Sequence, residues 1–217
     1  TVFFGGGTPS LLSGEEFGMI FDAIERNFKI LPDAEITMEA NPKTLTRENL
    51  DSYIHRGVNR FSLGLQSIHE NELKTLGRIH LYDDFLKSYN MIRDMGITNV
   101  NVDLMYAIPN QTPESFISTL TTVAALKPEH ISLYSLILEK GTPLWNMRDS
   151  LDFPNEDQDC DMYFSAVDKL IALGYRHYEI SNYAIAGRES RHNLKYWRDK
   201  EYIGVGLSAY SYFDGVR

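Results

Sequence analysis

Phe3-Phe4-Gly5-Gly6-Gly7-Thr8-Pro9-Ser10 runs from an apolar strand end into three consecutive glycines. Val2, Phe3 and Phe4 have the character of a buried strand, and the glycines strip the side chains from the backbone where that strand stops. Glycine tolerates positive φ and lets a ligand come close to the main chain, and free N–H groups in such a turn form a seat for an anion or a carboxylate. A tight strand-to-helix turn would account for a lone Gly-Gly-Gly equally well, so its meaning rests on the residues downstream of it.

Downstream, strand and helix signals alternate regularly. Ser13-Gly14-Glu15-Glu16 has capping-box spacing, and Phe17, Ile20, Phe21 and Ile24 recur at helical period, which predicts a helix to about Phe28. Glu35-Ile36-Thr37-Met38-Glu39-Ala40 alternates like a strand and stops at Asn41-Pro42, where the proline biases Asn41 away from helix. Thr46 caps a helix that Gly57 closes, and a strand Arg60 to Gln66 comes next. Ser67 with Glu70 is read as a second capping box opening a helix, then come the loop Leu76-Gly77-Arg78-Ile79-His80 and a helix over 83–95. A strand from Asn99 to Leu104, a helix entered at Thr112-Pro113-Glu114 and a strand from Ile131 to Leu138 complete the run. Alternation of this kind predicts a parallel sheet wrapped by crossover helices, barrel or doubly wound. Sites in both architectures collect at the C-terminal ends of the strands. Gly5 to Thr8, Glu39, Gln66, Asp103 and Ile137 fall at or near such ends, so one cleft would gather them.

After Gly141-Thr142-Pro143 the character changes. Leu151 to Glu156 reads as a linker, Asn155 with Gln158 caps a helix through Leu173, and the remainder is rich in Tyr, His and Asn. At 217 residues with 43% apolar content the chain suits one domain, or one with an appendage. A net charge of −9 disfavours a nucleic-acid backbone as the main partner. No run of residues has the length and apolarity of a membrane span. The single cysteine, Cys160, permits no internal disulfide and fits a reducing cytoplasm. Thr1 enters strand with no methionine before it, which predicts a piece of a longer protein.

Glu39 and Asp103 alone would as readily be a helix cap or a surface ion pair, and a lone Arg78 a solvated group. A cleft lined by glycines, a Glu, a Gln and an Asp has the chemistry to hold an ammonium group and the two hydroxyls of a ribose. His192-Asn193-Leu194-Lys195-Tyr196-Trp197 puts an imidazole, an amide, a phenol and an indole within six residues. That set suits either an aromatic wall or the neighbourhood of a flat macrocycle such as heme.

Taken together, Gly5 to Leu12, Glu35 to Pro42, Leu76 to His80 and His192 to Trp197 resemble radical SAM proteins of the oxygen-independent coproporphyrinogen III oxidase-like family, and within it the heme-chaperone branch. The resemblance covers nearly all 217 residues, with several motifs in the right order. It implies an α/β fold: a partial parallel (β/α)6 barrel, here lacking its first strand and cluster loop, that carries a 4Fe-4S cluster and S-adenosylmethionine at the strand C-termini. Residues 1–150 would form this core, and 151–217 an α+β accessory region with the His-Asn-x-x-Tyr-Trp motif. By motif, Gly6, Gly7 and Thr8 would contact the methionine part of S-adenosylmethionine. Glu39, Gln66, Arg78 and Asp103 would bind its charged and ribose groups, and Ile137 would lie along the adenine. In the oxidase branch a second S-adenosylmethionine takes part of this set. His192 would be the heme-associated position.

The family's Cys-x-x-x-Cys-x-x-Cys loop is missing from this sequence, and Cys160 matches none of its positions. The resemblance therefore implies cluster cysteines upstream of Thr1 and no radical chemistry from these residues alone. It implies a cytoplasmic protein that binds heme and hands it to acceptor proteins, membrane-associated ones among them. The rival within the family is the oxidase, which converts two propionates of a porphyrinogen to vinyls. An ordinary α/β hydrolase or isomerase is the rival outside it.

Overall fold

The computed structural model describes residues 1–217. Strand β1 (Val2–Phe4) passes through the glycine turn and a short 3-10 turn at Pro9–Leu11 into helix α1 (Gly14–Asn27). The sequence signal for that helix is realised in full: Ser13 Oγ accepts the Glu16 N–H, and the Glu16 carboxylate accepts the Ser13 N–H at 2.8 Å. Strand β2 (Ile36–Ala40), helix α2 (Arg47–His55) and strand β3 (Arg60–Gln66) come next, with Thr46 capping α2 through Asn49. Helices α3 (Glu70–Thr75) and α4 (Tyr82–Asp94) lead to β4 (Val100–Tyr106), and α5 (Pro113–Ala125) to β5 (His130–Ser135). A one-turn helix α6 (Pro143–Met147) and the long α7 (Glu156–Ala172) precede a hairpin, β6 (Arg176–Glu179) and β7 (Asn182–Ala184), and a last short helix α8 (Asn193–Trp197).

The seven strands form one sheet in the order β1-β2-β3-β4-β5-β7-β6. The first five are parallel, as the alternation predicts, while β7 runs antiparallel to β5 and β6 antiparallel to β7. The hairpin from the region after residue 151 thus extends the same sheet. Two local readings are corrected. Ser67 does not cap α3: His69 holds the cap position without a side-chain bond, and Ser67 Oγ donates instead to the buried Glu72 carboxylate at 2.6 Å. The last parallel strand ends at Ser135, short of Leu138, because the chain turns away once the Leu136 N–H has bonded the Tyr106 carbonyl.

Period-2 alternation sorts the two faces. Ile36, Met38 and Ala40, then Phe61, Leu63 and Leu65, then Val100, Val102, Leu104 and Tyr106, then Ile131 and Leu133, all join the apolar core under the helices. The residues between them are polar and also buried: Thr37, Arg60, Ser62, Gln66, Asn101, His130 and Ser132. Polar groups out of water need partners, and most of these find each other. Asn101 Nδ2 donates to Ser62 Oγ at 2.7 Å and to Asp103 Oδ1 at 2.8 Å. Asn101 Oδ1 accepts from His130 Nδ1 at 2.6 Å, and His130 Nε2 meets the Tyr178 hydroxyl at 2.7 Å. Burial first, and the nearby Arg60 charge second, hold the His130 pKa well below its ordinary value. The neutral ring donating from Nδ1 and accepting at Nε2 satisfies every partner.

Candidate functional site

At the C-terminal ends of the parallel strands the glycine turn opens upward. Gly6 and Gly7 have φ of +76° and +59°, and a Cβ on either would meet nothing within 4 Å. The left-handed backbone requires glycine there, and the space over it is open to a ligand. Gly5 is packed from below: a Cβ would lie 3.1 Å from the Glu39 carboxyl group. The Gly6 N–H donates to Glu39 Oε2 at 3.1 Å, and Asn41 Nδ2 donates to Thr8 Oγ1 at 3.2 Å. β2 therefore fastens the turn at two points. Burial raises the pKa of Glu39; the Gly6 N–H opposes that and the Asp103 charge adds to it.

Strand β3 brings Gln66. A register irregularity against β4 between Gly64 and Gln66 ends that strand, and Gln66 has φ +73°. A Cβ on Gly64 would come within 3.1 Å of both Asn41 Oδ1 and Gln66 Nε2, so these amides cover that glycine. A side-chain-bearing residue at positive φ costs on the order of 1–2 kcal/mol and is a common signature of a functional site. Arg78 reaches the same end on a loop pinned at two places: His80 Nε2 bonds the Leu65 carbonyl at 3.1 Å, and Lys43 Nζ donates to the Ile79 carbonyl at 3.0 Å. Lys43 is itself held by Asp84 at 2.9 Å. Burial lowers the Arg78 pKa, the charge of Asp103 opposes this, and the guanidinium has no ion-pair partner in the protein.

Asp103 sits deeper, in mid-strand, in register with Gly64 and Ser132. It accepts from Asn101 and from Ser62 Oγ at 3.1 Å, and burial raises its pKa against those bonds. Ile137 lies beyond the sheet and is 78% exposed, an apolar side chain left in water beside β5. Gly6, Gly7, Thr8, Glu39, Gln66 and Arg78 thus share one end of the sheet, with Asp103 beneath them. They make an open turn of backbone donors, two carboxyl groups, an amide and an unpaired cation, the chemistry for a zwitterionic, hydroxyl-bearing ligand.

His192 lies at the other end. Glu35, just before β2, accepts the Arg191 and His192 N–H groups at 3.0 and 2.9 Å. The ring stacks on Phe3 at 4.9 Å, its Nδ1 meets Thr1 Oγ1 at 3.0 Å and its Nε2 meets the Tyr196 hydroxyl at 2.9 Å. Burial, then Lys195, the amino terminus and Arg60, push its pKa down to about 4. Both nitrogens are engaged, so ligation of iron by this ring requires release of one partner.

Two features of the site were not read from sequence. Asn41 ties the glycine turn, and its place before a proline at a strand end was the available signal. Glu72 accepts from Ser67, Gln111 and Ser115 and joins the loops after β3 and β4; no local pattern announces it. Cys160 is exposed on α7 and is the only cysteine of the chain, so these residues do not themselves provide three thiolates for a cluster.

The parallel sheet with an open glycine turn and convergent polar groups at its strand ends defines an α/β ligand-binding core. The chain belongs to the radical SAM superfamily, whose family model matches residues 1–123. It is 40% identical to heme chaperone HemW of Bacillus subtilis (strain 168), over all of this chain and 58% of that protein. It is 42% identical to heme chaperone HemW of a Synechocystis species, over all of this chain and 53% of that protein. Among solved structures it resembles the coproporphyrinogen III oxidase HemN of Escherichia coli, a radical SAM enzyme, with a TM-score of 0.82 and 26% identity over 96% of this chain and 51% of the other. The chain spans little more than half the length of these relatives. No helix is long and apolar enough to cross a membrane.

Proposed function

We propose that the intact protein is a cytoplasmic heme chaperone of the radical SAM superfamily, which binds heme and passes it to acceptor proteins, membrane-associated ones among them. The observation that carries this reading is identity of 40% and 42% to heme chaperones in matches that cover the whole of the chain. In this reading residues 1–150 are the cofactor-binding core and 151–217 the accessory region.

S-adenosylmethionine fits the residues at the strand ends and would supply one-electron chemistry when bound and reduced. The unpaired Arg78 guanidinium receives a carboxylate, which its planar fork matches. Glu39 receives an ammonium group, whose charge would draw the raised carboxyl pKa back down. Gly6, Gly7 and Thr8 offer backbone close to the methionine part. Gln66 and Asp103, the latter with the lone pairs that Asn101 and Ser62 leave free, would bind the ribose hydroxyls, and Ile137 would offer an apolar edge to the adenine. A 4Fe-4S cluster does not fit the residues present, because the strand-end set has no thiol and the single cysteine of the chain, Cys160, lies exposed on α7.

A second reading, oxygen-independent coproporphyrinogen III oxidase, is favoured by the fold similarity at a TM-score of 0.82. One experiment separates the two. The intact protein, reconstituted anaerobically with iron and sulfide, is titrated with heme and, in parallel, incubated with coproporphyrinogen III and S-adenosylmethionine. The chaperone reading expects stoichiometric heme uptake that His192→Ala weakens, with no vinyl product. Turnover to protoporphyrinogen without a stable heme complex overturns it.

A further inference from the structure

Four buried side-chain atoms in the protein have no hydrogen-bond partner: Thr37 Oγ1, Arg60 Nε, Asn99 Oδ1 and Tyr183 OH. Three of them fall together. Thr37 and Arg60 are register partners on β2 and β3. Asn99 immediately precedes β4, and its carbonyl accepts the Phe61 N–H at 3.1 Å, which sets it beside Arg60 on the other side. Alternation places all three on the polar face, at its N-terminal end, one layer below Ser62 and Asn101.

Arg60 is the outlier among them. It is 2% exposed, the largest fully buried side chain in the protein, and it acts on its neighbours only through space. The nearby acids are already committed: Glu35 to the N–H groups of Arg191 and His192, and Asp103 to Asn101 and Ser62. A charge held out of water without a hydrogen-bonded partner is strongly unfavourable, and a guanidinium cannot shed its proton to escape. The three orphans are also complementary as a set. The guanidinium is a planar fork of donors, the threonine hydroxyl donates or accepts, and the Asn99 amide has no protein bond fixing which end faces inward.

We propose that the floor of the polar face is a carboxylate-binding site, in which Arg60 receives one carboxylate group and Thr37 and Asn99 complete its hydrogen bonds. A single negative charge suits the place better than a phosphate does, because the Glu35 and Asp103 charges are near enough to act on Arg60 through space and would repel a dianion more strongly. The segment from Ser190 to His192 closes the floor. Ser190 is fully buried, both following N–H groups are on Glu35, and the His192 ring lies over Phe3. The carboxylate comes either from a small free acid or from an acid group of a larger ligand. On the chaperone reading above, that larger ligand is heme and the group is a propionate, entering past His192.

The test uses the intact protein and two probes. Sodium acetate is titrated against sodium chloride at equal ionic strength while thermal unfolding is followed. Wild type gains melting temperature with acetate in a saturable way and not with chloride. Arg60→Met stays folded and loses the response, and Thr37→Val, which keeps the side-chain volume, weakens apparent acetate affinity several-fold, so the test stands even if the arginine variant does not fold. In the second arm, hemin and its dimethyl ester are compared through the Soret band. A gap of tenfold or more in favour of hemin that closes in Arg60→Met identifies a propionate as the source. Equal binding of acid and ester beside a positive acetate response identifies a small free acid. No acetate-specific response in wild type, together with no ester discrimination, overturns the site and leaves the three orphans to ordered water. If hemin does not bind at all, the heme reading fails while the acetate arm still tests the site.

Discussion

Glu72 offers the sharpest test of how the strand-end loops are held. Its carboxylate is 1% exposed and accepts from Ser67 Oγ at 2.6 Å, Gln111 Nε2 at 3.0 Å and Ser115 Oγ at 2.6 Å, with no cation beside it. Hydrogen bonds to a charged group contribute roughly 1.5–3 kcal/mol each, offset in part by desolvation of the carboxylate. Glu72→Ala strands three donors, but each has a fallback: Thr119 Oγ1 for Ser67, the Met105 carbonyl for Gln111 and the Thr112 carbonyl for Ser115. With a small cavity added, the expected loss is about 2–4 kcal/mol. Glu72→Gln keeps the volume and one acceptor oxygen, and the hydroxyls can rotate to accept from the new amide, so its cost is about 1–2 kcal/mol. Urea unfolding at neutral pH, read as a shifted midpoint at constant slope, measures both. A loss below about 0.5 kcal/mol for the alanine variant, or equal losses for the two variants, would refute the reasoning. Because Ser67 follows Gln66 directly, the alanine variant should also loosen ligand binding at the strand ends.

Two further outcomes rest on single residues. Gly6→Ala forces a side-chain-bearing residue to φ +76° where its Cβ meets no atom, so it should cost about 1–2 kcal/mol by backbone strain alone; a neutral result in thermal unfolding would show that the turn relaxes. The pH dependence of stability should carry the mark of His130, held neutral in the fold. A folded pKa below the unfolded value near 6.5 means the unfolded chain takes up protons first, so this contribution is complete at neutral pH and is lost as pH falls below about 6.5. His192, pushed down to about 4, acts in the same sense, while the raised carboxyls of Glu39 and Asp103 act in the opposite one. The comparison therefore isolates one group: between pH 7 and 5 the urea midpoint of His130→Gln should fall less steeply than that of wild type, by up to about one proton. Identical slopes would mean that His130 is not held neutral.

Much of this was legible in the chain because the signals are local. The helix caps at Ser13, Thr46 and Asn155 and the positive-φ glycine after α2 arise from short-range chemistry, and the helices they bound are where the spacing predicts them. The five parallel strands follow from period 2. Ser67 misled because its spacing to Glu70 mimics a cap while its hydroxyl has a better acceptor in Glu72, whose burial depends on α5, more than forty residues away. The separation of His192 from the glycine turn was invisible for a similar reason. Only the return of the chain after β7 brings Arg191 and His192 onto Glu35, at the strands' N-terminal ends. Orphaned Arg60 could not be foreseen either: it occupies a polar slot of an alternating strand, and nothing in the pattern tells a paired arginine from an unpaired one.

That the strand-end cleft and the His192 end are separate sites is tested most directly by calorimetric titration of S-adenosylmethionine into the reconstituted intact protein. Arg78→Ala should weaken binding about 10–100-fold, the loss of charge-assisted hydrogen bonds of roughly 1.5–3 kcal/mol. His192→Ala should leave binding unchanged. Full affinity in Arg78→Ala, or a comparable loss in His192→Ala, would contradict the account.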